Sequence, residues 1–262
     1  MKLEKAMAAA RRMRKEGGLE PVGIFESGKP AKTSRKAWRP PVYTESKKIQ
    51  VDENHLRTNA CVCIDPEAVA LDFYKVLRTK IEQAARPRGW NTVMITSPFD
   101  ENGRTMVAVN LALTFAKAYN QTVMLVDCDL RRQGIREVLC IESDSGLVDY
   151  LLDEKPLKDA IVWPGIEKMT LISGGRTIHD STELLGSERM RALVHEMKGR
   201  YSDRYVLFAA PPILVGADAL SLAPLVDCIV MVVTEGKSSM RDVRKAIGML
   251  PQEKFLGFVM TK

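Results

Sequence analysis

Three short stretches hold the residues whose types and spacing could do chemistry. Thr96-Ser97-Pro98-Phe99-Asp100-Glu101-Asn102-Gly103-Arg104-Thr105 lies between an apolar run, TVMIT (92–96), and a helical one, MVAVNLALTFAKAY (106–119). A strand that breaks into a tight loop and then a helix points loop amides and a helix N-terminus at one spot, the geometry that cradles a phosphate. Ser97, Asn102, Gly103, Arg104, Thr105 and Met106 are the positions expected to meet it. In the second stretch, TVMLVDCDLRR (122–132), Asp127 and Asp129 fall on the same side of an extended chain at the strand's C-terminal edge. A carboxylate there can hold the water shell of a phosphate-bound magnesium ion or orient an attacking hydroxyl. Asp127, Asp129 and Arg104 are thus the candidate catalytic set, and Thr105 with Asp127 the candidate metal ligands. The competing reading is that the acids cap the following turn. It weighs evenly against function for Asp129 and less for Asp127. The third stretch, YVLFAAPPILVGADAL (205–220), is a strand that ends in a Pro-Pro turn followed by Asp218.

These stretches need a scaffold that brings strand ends together. TVMIT (92–96), TVMLVD (122–127), MTLIS (169–173), YVLFAA (205–210), CIVMVV (228–233) and FLGFVM (255–260) are near-continuous apolar runs separated by helical segments. That pattern predicts an α/β fold in three layers, with a mostly parallel central sheet covered on both faces. In such sheets ligands bind beyond the carboxyl ends of the strands, where all three stretches lie. Upstream, a helix is expected from Asp65-Pro66 to about Ala85, closed by Arg86-Pro87-Arg88-Gly89. Residues 2–16 have the spacing of one amphipathic helix, and the Gly- and Pro-punctuated stretch after them reads as linker. The expected division is an N-terminal helix and flexible basic linker over 1–60 and an α/β domain over 61–262.

Charge supports that division. Residues 1–65 hold 14 Lys/Arg against 8 Asp/Glu, while residues 66–262 hold 25 of each, so the whole net charge of +6 sits in the extension. A basic arm suits an anionic membrane surface, nucleic acid or an acidic partner, and equally a solvated tail. Five cysteines without paired spacing read as reduced thiols. No apolar run reaches the length of a membrane span, so a cytoplasmic protein is expected, at most peripheral to the inner face of a membrane.

The ordered set Asp127-Cys128-Asp129-Leu130-Arg131-Arg132, Gly146-Leu147, Glu183-Leu184-Leu185, Ser187-Glu188-Arg189-Met190, Pro211-Pro212 with Asp218, and Gly236-Lys237 resembles the bacterial protein-tyrosine kinases of capsule and exopolysaccharide synthesis. These are relatives of the MinD and ParA P-loop ATPases. The resemblance covers residues 66–262 and implies ATP or ADP with Mg2+ as cofactor, a homo-oligomer, and a membrane polysaccharide co-polymerase or chain-length protein as partner. Asp72-Phe73-Tyr74-Lys75-Val76-Leu77-Arg78-Thr79 is similar to the family's assembly helix, which makes Asp72, Lys75 and Arg78 the candidate oligomer contacts.

Four departures bear on activity. Arg104 stands at the phosphate-binding lysine, and Ala209 at the acidic residue before the Pro-Pro turn. Glu101 replaces a loop glycine, and no tyrosine follows Tyr205, so phosphorylation of a clustered tail is not expected. Thr261 also replaces an asparagine. Together they imply a degenerate kinase-like regulator with weakened nucleotide binding. The alternatives are an active autokinase in which Asp129 or Asp218 compensates for Ala209, and a ParA-like positioning ATPase. Nucleic acid is not an expected partner, because the Asp-Leu-Arg-Arg and Glu-Leu-Leu markers resemble the polysaccharide branch.

Overall fold

The computed structural model describes residues 46–261 apart from 50, 60, 66, 100–102, 143, 144 and 154. The amphipathic helix expected over 2–16 lies outside the described residues. In chain order the elements begin with β1 (Lys47–Lys48), α1 (Glu53–Thr58), α2 (Val69–Ala85), β2 (Thr92–Thr96), α3 (Gly103–Ala116), β3 (Thr122–Asp127), α4 (Gly134–Leu139) and α5 (Leu147–Asp153). They continue with α6 (Leu157–Ala160), β4 (Ile161–Trp163), β5 (Met169–Ile172), α7 (Ser181–Leu185) and α8 (Glu188–Arg200). The last are β6 (Arg204–Ala209), α9 (Asp218–Leu222), β7 (Cys228–Thr234), α10 (Met240–Gly248) and β8 (Phe255–Thr261).

One eight-stranded sheet in the order β1-β4-β5-β3-β6-β2-β7-β8 forms the middle layer. All its pairs are parallel except β4 with β5, so the expected mostly parallel sheet is present. Its central strands are buried throughout, which is why they read as unbroken apolar runs rather than alternating ones. One core, containing Leu111, Phe115, Leu125 and Leu207, fills the face under α2 and α3. A second, built on Met94, Val126, Leu193 and Phe208, fills the opposite face.

The expected linker is not featureless at its C-terminal end. Leu56 of α1 and Cys61 and Cys63 after it are buried against the first core, and the Cys63 amide donates to Asn110 Oδ1 at 3.0 Å. The expected helix from Asp65 begins at Val69 instead, after a turn of 3-10 helix over Val62–Ile64. β1 and β4, two and three residues long, are too short to carry a period of their own.

Candidate active site

The carboxyl ends of β2, β3 and β6 converge because these strands are neighbours in the sheet. The loop leaving β2 is tied to the loop leaving β6: Thr96 Oγ1 donates to the Pro211 carbonyl at 2.6 Å, and the Ile213 and Leu214 amides donate to the carbonyls of Ser97 and Pro98. Ser97 is buried, and its hydroxyl donates to the Phe99 carbonyl at 2.5 Å, closing the turn on itself. Asn102 and Glu101 lie outside the described residues. Gly103 opens α3 in a tight place, where an added Cβ would fall 2.9 Å from Thr261 Oγ1. The Met106 side chain packs on the core under α3, so only its backbone is left for the loop.

Arg104 is 4% exposed, and its Nη2 donates to Asp129 Oδ2 at 2.6 Å. The guanidinium at the lysine position therefore binds the acidic turn. Both acids cap the turn: Asp127 Oδ1 accepts from the Asp129 amide and Oδ2 from the Ile135 amide, and Asp129 Oδ1 accepts from the Arg132 amide at 3.2 Å. Burial pushes the Asp127 carboxyl up to about 7, with the neighbouring Asp129 charge adding to the effect. Thr105 is half-buried against α4, where a Cβ at Gly134 would lie 2.8 Å from its Oγ1. Ala209 is the direct cross-strand partner of Asp127, so the acid missing from position 209 would have stood beside it.

Asp218 lines a small cleft together with Asp129 and the Pro211-Pro212 turn, but its oxygens are already engaged. Its carboxylate is 3% exposed and accepts from the hydroxyls of Ser181 (2.7 Å) and Thr182, and it ion-pairs with Arg131 Nε at 3.3 Å. It pins Arg131 and α7 together and leaves little for a metal. Sequence reasoning missed this cluster. Its signal was the Ser-Thr pair immediately before Glu183-Leu184-Leu185.

The expected oligomer contacts part company. Asp72 and Lys75 pair with each other at 2.8 Å on the exposed face of α2, but Arg78 turns inward, donating to the Thr114 carbonyl at 2.7 Å and facing Glu82. Two steps of three residues turn a helix by about 120° away from the starting face, so the first and last members cannot share it.

No family model matches the chain. The tyrosine-protein kinase YwqD of Bacillus subtilis is 31% identical over 209 residues, which span 79% of this chain and 87% of that protein. The chain belongs to the bacterial tyrosine-protein kinases. The kinase domain of the Escherichia coli tyrosine kinase ETK shares the fold with a TM-score of 0.71 at 25% identity, covering 85% of this chain and 90% of that one. MinD of Pyrococcus horikoshii, solved with Mg-ADP, matches with a TM-score of 0.52 at 22% identity over 65% of this chain and 69% of that one, a likeness of fold.

Proposed function

We propose that this protein is a degenerate tyrosine-kinase-like regulator of exopolysaccharide or capsule synthesis, controlling chain length or export with weakened nucleotide binding. The observation that carries this reading is the buried ion pair between Arg104 and Asp129, formed where a lysine would hold phosphate and beside an Ala209 that offers no oxygen. A nucleotide phosphate has to compete with a carboxylate for the guanidinium, and a planar fork does not replace a compact ammonium between phosphates. The residues fit a magnesium nucleotide in part. Thr105 and Asp127 provide one hydroxyl and one carboxylate of the type such an ion takes, and Gly103 keeps its position in the loop. The family resemblance supports the partners: a membrane polysaccharide co-polymerase or chain-length protein and further copies of the chain, with the protein at the inner membrane face.

The retained Thr105 and Asp127 favour a second reading, an active autokinase or ATPase. Calorimetric titration with ATP and ADP, with and without magnesium at fixed salt, followed by a turnover assay, separates the two. The regulator binds weakly and does not turn over, and the double variant Arg104→Lys, Ala209→Asp gains affinity of about tenfold or more, equivalent to ~1.4 kcal/mol. Tight magnesium-dependent binding and turnover in the unaltered protein, unimproved by the double variant, would overturn the regulator reading.

A further inference from the structure

The two edges of the sheet are built differently. β1 is two residues long and both are exposed lysines, a pattern that keeps an edge from pairing. β8, Phe255–Thr261, carries no charged side chain over its seven residues, and among the described residues no strand pairs with its outer edge. After a register shift between Ile229 and Val230, its pairing with β7 is regular from Gly257 to Thr261. The amides and carbonyls that point away from β7 therefore form a regular row open to a further strand. Phe258 and Met260 are 59% and 72% exposed. The Phe258 ring lies 5.9 Å from that of Phe255, which packs on the second core, so these side chains point to the face that α10 covers. There α10 buries Val243, Ala246 and Leu250. The helical repeat sets Met240 and Arg244 one turn apart, on the flank that a right-handed crossover from β7 to β8 turns toward the open edge. Met240 is largely exposed, and so are Arg241, Arg244 and Lys245, whereas Asp242, the acid of the helix, is engaged by the Ser239 hydroxyl at 2.6 Å.

We propose that β8 accepts an extended strand from a partner protein, with apolar side chains against Phe258 and Met260 and an acidic one against Arg244. Main-chain pairing along the edge supplies affinity, and alternate side chains on the α10 face supply specificity. The acidic character follows from charge complementarity with the basic, exposed side of α10. Two other occupants fit this edge less well. A second copy paired antiparallel along β8 brings its own α10 alongside and sets Arg244 near its counterpart, like charge against like. A bilayer offers the edge amides and carbonyls no partners. The inference stands apart from the nucleotide reading, because Phe258, Met260, Met240 and Arg244 belong neither to the candidate phosphate loop nor to the acidic turn.

The test is fluorescence anisotropy of a labelled heptapeptide titrated with the full chain. The peptide carries valine, valine, glutamate and valine at alternate positions, with threonine between them. One control replaces the glutamate by lysine, and another replaces the central threonine by proline. Saturable binding of the glutamate peptide is expected, weaker by about tenfold for the lysine peptide and absent for the proline peptide, which cannot pair along an edge. Arg244→Glu should reverse the preference between glutamate and lysine, and Phe258→Thr should weaken both peptides, with thermal melting held because both side chains are exposed. The proposal is overturned if the glutamate peptide does not bind, if the proline peptide binds as well, or if Arg244→Glu leaves the preference unchanged. It gives way to a second copy if Phe258→Thr lowers the mass seen by light scattering in a chain whose exposed Phe73 on α2 is already changed to Glu. It gives way to a bilayer if Phe258→Thr abolishes sedimentation with phosphatidylglycerol vesicles.

Discussion

At the scale of single residues, the acidic turn is costly to hold ionised. Asp127 has a folded value near 7 against about 4 in an unfolded chain, so the fold favours its protonated form. The contribution is therefore fully present below about pH 4 and is lost as pH rises through 7. We expect the melting temperature of the nucleotide-free protein to fall between pH 5 and pH 7, and Asp127→Asn to flatten that slope; parallel slopes would refute the assignment. Asp227 works in the other direction. It accepts from the amides of Asn91 and Thr92 and from Lys198 Nζ, and those bonds hold it below the usual carboxylate range against the cost of its partial burial. Its stabilisation is present above about pH 4 and is lost as pH falls through its lowered folded value. Asp227→Ala should cost about 2–3 kcal/mol in urea unfolding at pH 7, with the difference from the unaltered protein shrinking in acid. Ala209→Asp belongs here as well: a second carboxylate in cross-strand register with Asp127 should lower stability in the apoprotein and regain it when magnesium and ADP are added.

At the scale of elements, glycines fix how closely loops approach. Gly146, just before α5, meets Gly175 so tightly that an added Cβ would fall 2.2 Å from its backbone nitrogen, while the Leu147 amide bonds the Ser173 carbonyl. Backbone cannot step aside as a side chain can, so Gly146→Ala should cost about 3 kcal/mol by chemical denaturation. Gly134→Ala meets only the Thr105 side chain, and should lose less stability while weakening magnesium-dependent nucleotide binding. β2, β3, β5, β6 and β7 were legible in the sequence because burial on both faces writes them as continuous apolar runs, whereas β8 is an edge strand that reads as apolar although Phe258 and Met260 are exposed. The connection from β2 to α3 was legible as a strand–loop–helix, and its reading as a candidate phosphate loop rested on that context and on the acids of the neighbouring strand. Other features were not legible from spacing. The direction Arg104 takes depends on where Asp129 sits in space, and Asp218 is sequestered by hydroxyls about 37 positions away in the chain. α1 and its buried Leu56 were hidden because a six-residue helix shows too little of its period.

At the scale of the whole molecule, the sheet order puts the candidate phosphate loop and both acids at one rim, and among the described residues nothing covers the outer face of α2. Val69, Phe73 and Val76 are 82%, 73% and 55% exposed and recur at helical spacing, with the Asp72–Lys75 pair beside them. The proposed self-association would use this stripe, with the apolar residues supplying affinity and the ion pair at their flank supplying orientation. Arg78, bonded to Thr114 within its own subunit, is left out of that interface. Light scattering during size-exclusion chromatography should then show a species larger than the monomer whose population falls on dilution. Phe73→Glu should shift it to monomer, and Lys75→Glu should weaken it in a salt-dependent way, because only the second change acts through an exposed charge. Arg78→Ala should instead lower thermal stability and leave the mass distribution alone. A mass unchanged by Phe73→Glu, or a protein monomeric at every concentration, would remove α2 as the assembly face and leave the exposed stripe for a partner of a different kind.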